Sequence, residues 1–275
     1  MRNNFFLYIV FIHVIFSIEV NVLTYNIHGL PPIFSRDKPK ERISEILNRS
    51  KNFDVILLQE NWIFSNEEIA EKLDGYEIIV SNKSKFKNPI KCFLNPNGSG
   101  LSVATKDSII VSNLYEHSFE SCSGWLFRMN DCIATKGFQR MSIQIDGERV
   151  DIYNTHLDAG ESEKDIRVRE EQLHSLKNYI ELNSLSYPLI IAGDINFNLS
   201  DHSSKGIING FISDLNLKMV DWSINSLDEV IVDDFLFYRG SNTMEILLIS
   251  GGVNQGLSGL SDHPPIGAVF DIRKK

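Results

Sequence analysis

Five polar clusters in this chain sit where apolar runs end, and that repeated arrangement limits the possible folds more than any other feature of the sequence. Asn26 follows Val22-Leu23-Thr24-Tyr25, and Glu60 follows Val55-Ile56-Leu57-Leu58-Gln59. His156 follows Val150 to Thr155, Asp194 and Asn196 follow Leu189 to Gly193, and Asp262-His263 stands just before Pro264. Strand ends in a layered fold converge on a rim, where sites are built. Taken singly, each residue has an ordinary explanation as a turn residue bonded to its own backbone, a satisfied histidine or a solvated acid. Five together are hard to explain as independent turns.

The rest of the chain supplies the layers. Strand-like runs are Val20 to Asn26, Asp54 to Gln59, Tyr76 to Val80, Leu101 to Thr105, Met141 to Ile145, Val150 to Thr155, Leu189 to Ala192, Phe235 to Tyr238 and Ile246 to Ile249. Most are rich in Val, Ile and aromatics and bounded by Gly, Asn or Asp. Helices fit between them. Pro39 opens Lys40 to Arg49 at a first-turn position. Ser65 and Glu68 make a capping box ahead of Ile69 and Leu73. Ile166, Leu173, Leu176 and Ile180 put one apolar stripe on a helix from about Ser162 to Leu182. Ser81 to Ser99 and Gly251 to Gly259 read as long loops, the second glycine-rich and mobile. The pattern is mixed α/β with large sheets. At 275 residues, 43% hydrophobic and without repeats or a linker, the chain suits one large domain over residues 19–275.

The 27 basic and 36 acidic residues leave a net charge of −9, which weighs against tracking long nucleic acid and against attraction to anionic lipid. Residues 1–18 read as a signal segment, with Arg2 ahead of an apolar run from Phe5 to Ile18 that is too short to span a bilayer. The expectation is a secreted or periplasmic protein. The alternative is a cytoplasmic one whose first strand extends into the core. Cys92, Cys122 and Cys132 form no C-x-x-C pair, so a thiolate zinc site is not expected. In an exported chain Cys122 and Cys132 could close a local loop, leaving Cys92 free.

In their order, Tyr25-Asn26, Leu58-Gln59-Glu60, Asn154-Thr155-His156-Leu157, Gly193-Asp194-Ile195-Asn196 and Ser261-Asp262-His263-Pro264 resemble the endonuclease/exonuclease/phosphatase superfamily, from about Val20 to Ile272. Asp234-Phe235-Leu236-Phe237 looks like a further strand motif of that family. The resemblance implies a DNase I-like four-layer sandwich, two packed and mostly antiparallel sheets flanked by helices. It also implies phosphoester hydrolysis with Mg²⁺, or Mn²⁺ or another divalent ion. Glu60, Asn26 and Asp262 would be the metal ligands, since hard oxygens suit such ions. His263 would be the general base, oriented by Asp234 or, alternatively, by Asp233. Asp194 and Asn196 would position the water and the phosphate, and His156 would donate to phosphoryl oxygens.

Within the superfamily, Asp131-Cys132-Ile133-Ala134-Thr135-Lys136-Gly137-Phe138 resembles a segment of the neutral sphingomyelinase branch, in which Lys136 would face the phosphate. Gly98-Ser99-Gly100-Leu101 leans the same way. A solvated turn lysine is the plainer reading of Lys136. Asn61-Trp62 after Glu60 departs from several sphingomyelinases, and an aromatic strand-tip hairpin for membrane contact is missing. Phe86, Ile90, Phe93 and Leu94, or Trp125-Leu126-Phe127, could give peripheral membrane contact instead. The expected substrate is a phosphoester, a lipid head group favoured over nucleic acid, with no obligate protein partner. A DNase-like nuclease and a catalytically silent binding module are the alternatives. Other catalytic templates fail: Gly256-Leu257-Ser258-Gly259 is one residue short of G-x-S-x-G, and neither H-E-x-x-H nor a phosphate-binding G-x-x-x-x-G-K-S/T occurs.

Overall fold

Alternation along the strands sorts the side chains into layers. In β1 (Ser17–Gly29), Val20 and Val22 point into one core while Leu23, Tyr25 and Ile27 point into another. The computed structural model describes residues 17–32, 37–81, 98–124, 131–221 and 233–275. It contains two six-stranded sheets. The first runs in the order β11 (Met244–Val253), β12 (Ile266–Lys274), β1, β2 (Val55–Asn61), β4 (Ser102–Lys106), β3 (Tyr76–Val80). The second runs β5 (Val111–Ser118), β6 (Gly137–Ile145), β7 (Glu148–His156), β8 (Leu189–Asp194), β10 (Asp234–Arg239), β9 (Lys218–Met219). Each sheet is antiparallel except for a central parallel pair, β1 with β2 and β7 with β8.

Three apolar clusters separate four layers, the sandwich the resemblance implies. Between the sheets lie Val22, Leu57, Ile152, Ile190 and Phe270 among others. Helix α1 (Pro39–Arg49) buries Ile43, Ile46 and Leu47 on the outer face of the first sheet, near the short α2 (Asn66–Ala70). On the second sheet, Leu173, Leu176 and Ile180 of α4 (Glu163–Ser184) pack with Ile208 and Phe211 of α5 (His202–Asp214). The capping box of Ser65 and Glu68 is formed, and Ser162 with Asp165 makes a second one. A short α3 (Asp131–Ala134) leads into β6. Among the described residues no helix is long and apolar enough to cross a membrane.

Several expectations are corrected. Gly251 and Gly252 belong to β11, not to a loop, and the segment after it is held in place. Tyr25 donates its hydroxyl to the Leu257 carbonyl at 3.1 Å, and Arg42 Nη1 donates to the Leu260 carbonyl at 3.1 Å. Strands β5, β9 and β12 and helices α3 and α5 add to the expected elements, and β6 begins at Gly137 rather than Met141. The strand expected from Val20 begins at Ser17, which pairs with Arg273. Residues 1–16, Cys92, the apolar side chains between Ser81 and Ser99, and Trp125 to Phe127 lie outside the described residues. Cys122 and Cys132 are joined in a disulfide.

Candidate active site

Both parallel pairs run toward the same rim, and the side chains that face between the sheets turn from apolar to polar as they approach it. In β1 they run Val20, Val22, Thr24, Asn26; in β7, Val150, Ile152, Asn154, His156; in β8, Ile190, Ala192, Asp194. Below the rim Gln59 donates to Asn154 Oδ1 at 2.7 Å, and Asn154 Nδ2 donates to the carbonyls of Leu58 and Ser102, both at 3.1 Å. These wholly buried amides tie one sheet to the other, and neither was singled out as functional in the sequence.

Register lines up the second sheet's contribution. Asp234 stands opposite Asp194, Asp194 opposite His156, and His156 opposite Gly137, with Lys136 one residue before it. Gly193 makes the approach possible, because at φ 146° a Cβ there would overlap the Thr155 carbonyl. Asp194 is buried and well supplied with donors. Asn26 Nδ2 donates to its Oδ2 at 2.9 Å, and the Asn196 backbone N–H donates to its Oδ1 at 3.0 Å. Burial opposes its charge, but His156, His263 and Lys136 outweigh that and hold the carboxyl below the usual range. Asn196 Nδ2 donates to the Leu157 carbonyl at 3.0 Å.

Lys136 is buried, not a solvated turn residue. Its Nζ lies 2.5 Å from His156 Nε2, which is itself 3.3 Å from Asp194 Oδ2 and 3.9 Å from Glu60 Oε1. Ammonium and carboxylate compete for one ring nitrogen.

His263 enters from the segment before β12 and hydrogen-bonds through Nδ1 to Asp234 Oδ2 at 2.7 Å. The partner is therefore Asp234 and not Asp233. Burial disfavours the imidazolium, but the hydrogen bond to Asp234 and the charges of Asp194, Asp234 and Asp262 raise the His263 pKa to about 10. Burial pushes Asp234 up to about 7, with Asp194 opposing a second negative charge nearby. Asp194, Asp234 and His263 bring one ligand atom each within 4.8 Å of one another. His263 is already bound to a carboxylate in that group.

The first sheet brings Asn26, Glu60 and Asp262 to the other side of the site. Asn26 accepts the His28 backbone N–H on Oδ1 at 3.0 Å. Glu60 is partly buried, whereas Asp262 is 58% exposed. Both carboxylates face His28, whose Nδ1 is 3.6 Å from Glu60 Oε2 and 3.3 Å from Asp262 Oδ2. His28 had no signal in the sequence. Carboxylate and amide oxygens here form a hard donor set suited to Mg²⁺ or Mn²⁺.

A family model described as "Endonuclease/Exonuclease/phosphatase family" matches residues 23–263. A Drosophila melanogaster protein provisionally named a neutral sphingomyelinase is 30% identical over 201 residues, covering 70% of this chain and 42% of that protein. A Mycobacterium tuberculosis sphingomyelinase is 27% identical over 195 residues, 68% of this chain and 36% of its own length. The chain thus spans less than half the length of these curated relatives. Among solved structures, sphingomyelinase C of Streptomyces griseocarneus superposes with a TM-score of 0.68 at 18% identity, covering 91% of this chain and 99% of that one. A Staphylococcus aureus beta toxin mutant with bound magnesium ions gives 0.67 at 16% identity, covering 91% and 99%. At these identities the structural likeness speaks for the fold.

Proposed function

Because this chain belongs to the endonuclease/exonuclease/phosphatase family, we propose that it is a phosphoric ester hydrolase, and within that class a divalent-metal-dependent phosphodiesterase of sphingomyelinase type. It would release a phosphocholine-type head group from a lipid by in-line attack of water. The observation that carries the chemistry is the His263–Asp234 hydrogen bond beside the Asp194–His156–Lys136 row. With Nδ1 held by Asp234, the far nitrogen of His263 is the one that accepts a proton from the attacking water. Asp234 then stabilises the imidazolium. Asp194 and Asn196 orient water and phosphate, while His156 and Lys136 oppose the charge that builds on the phosphoryl oxygens.

Glu60, Asn26 and Asp262 would hold Mg²⁺, or Mn²⁺ in its place. When bound, the ion supplies Lewis-acid polarisation of the phosphoryl group. The magnesium in the beta toxin structure and the hard donor set here support that choice of ion. The lipid substrate is supported by the names of the relatives in Drosophila and Mycobacterium. Export through the N-terminal segment, peripheral membrane contact and action without a protein partner complete the reading.

The test is a side-by-side assay on sphingomyelin vesicles and plasmid DNA with Mg²⁺, with and without chelator. Chelator-sensitive head-group release without DNA nicking is expected. Nicking without head-group release would replace this reading with the nuclease one.

A further inference from the structure

The two central strands of the first sheet break in the same way at the rim. His28 has φ 45° and Glu60 φ 59°, left-handed values uncommon for residues other than glycine. The β1–β2 register slips between Asn26 and Gly29, and Gly29 is pressed so close to the Glu60 carbonyl that a Cβ there would overlap it. Such irregularities re-aim side chains next to sites. Here they bring His28 up against both carboxylates while its own backbone N–H orients the Asn26 oxygen. Every oxygen donor assigned to the cation therefore touches this one residue.

We propose that His28 is a further residue of the metal site. Its Nδ1 joins Glu60, Asp262 and Asn26 as a donor and biases the site from Mg²⁺ toward Mn²⁺ and Co²⁺. The proposal rests on the reading in which Glu60 holds the cation. Donors about 2.1 Å from a common ion lie roughly 3.0 to 3.4 Å from one another in octahedral or tetrahedral arrangements. The separation of His28 Nδ1 from Asp262 Oδ2, 3.3 Å, falls within that spacing, and that from Glu60 Oε2, 3.6 Å, lies about 0.2 Å beyond it. Imidazole nitrogen suits borderline transition ions, whereas Mg²⁺ prefers an all-oxygen shell. The competing account makes His28 a plain counter-cation that must be displaced before any ion binds.

The two accounts separate in a binding experiment without substrate. Mn²⁺ binding is followed by electron paramagnetic resonance and Mg²⁺ binding by calorimetry. The proteins are the full chain, Glu60→Gln, His28→Asn and His28→Gly; asparagine and glycine both accept left-handed backbone, and thermal melting confirms folding. A donor role predicts that both His28 variants lower the Mn²⁺-to-Mg²⁺ affinity ratio by at least roughly tenfold, since changes even one shell further out alter metal affinity by that much. An unchanged ratio, or tighter binding of both ions, overturns the proposal while leaving the metal site intact. Glu60→Gln weakening both ions ties the binding to this site. Binding of neither ion to the unaltered chain overturns the proposal together with the reading beneath it.

Discussion

Asp234→Asn isolates one electrostatic contribution, because it keeps the shape of the side chain and removes its charge. The hydrogen bond to His263 is 2.7 Å long, and Asp234 is wholly buried, so solvent screens it little. His263 must be neutral to accept a proton, so activity rises with pH through its ionisation. Burial lowers that pKa, and the Asp234 bond with the nearby acids raises it to about 10. An opposite charge at such range shifts a pKa by about 1 to 3 units. The acid limb of the Asp234→Asn profile should therefore move about 1 to 3 units toward lower pH. On the plateau, kcat should fall about 10- to 100-fold. The imidazolium formed in the transition state loses a charge-assisted bond of roughly 1.5 to 3 kcal/mol, at about 1.4 kcal/mol per tenfold. The assay is kcat/KM on a soluble phosphodiester at one fixed metal concentration, since kcat/KM reports ionisations of the free enzyme. A limb that stays in place or moves to higher pH would refute the assignment of Asp234 as the partner that raises His263.

The same raised pKa has a consequence for stability. The His263 imidazolium stabilises the fold below its ordinary value of 6.5, and this is lost as pH rises toward about 10. The thermal midpoint should fall across that window, and more weakly in His263→Ala. Glu60→Gln should lower turnover and raise the Mg²⁺ concentration needed for half-maximal rate; unchanged metal dependence would remove Glu60 from the ligand set. Replacing both Cys122 and Cys132 by Ser opens a loop of sequence separation 10 and should cost about 2 to 3 kcal/mol in denaturant melts, with no change when the unaltered protein is melted in reductant counting against it.

The rim was legible because Asn26, Glu60, His156 and Asp194 each end a run of Val, Ile and Leu, and period-two alternation puts their strands in layers. Strand β12 carries a clean alternation of Ile266, Ala268, Phe270 and Ile272, yet it is absent from the expected strands because it follows directly on the site motif that ends at Pro264. Helix α5 was missed because Gly206 and Gly210 dilute its helix propensity, while its cap Asp201 and buried Ile208 and Phe211 were there to read. His28 is different in kind. Its place depends on a left-handed torsion and a register slip, and neither leaves a periodic trace. Lys136 stands out only through the resemblance of its segment to the neutral sphingomyelinase branch, and its burial against His156 follows from the pairing of Gly137 with His156 across β6 and β7.

The halves of the site belong to different sheets. Asn26, Glu60 and His263 sit on strands of the first sheet or on the segment leading into them, and Asp194, Asp234 and His156 on the second. Gln59 and Asn154 hold the two together from beneath. Catalysis of the kind proposed is then a gauge of shear. A slide of one sheet over the other by one residue spacing, roughly 3.4 Å, would part Asn26 from Asp194 and His263 from Asp234 while leaving every strand paired within its own sheet. A substitution at Gln59 or Asn154, buried beneath the site, would then silence the enzyme with its secondary structure intact.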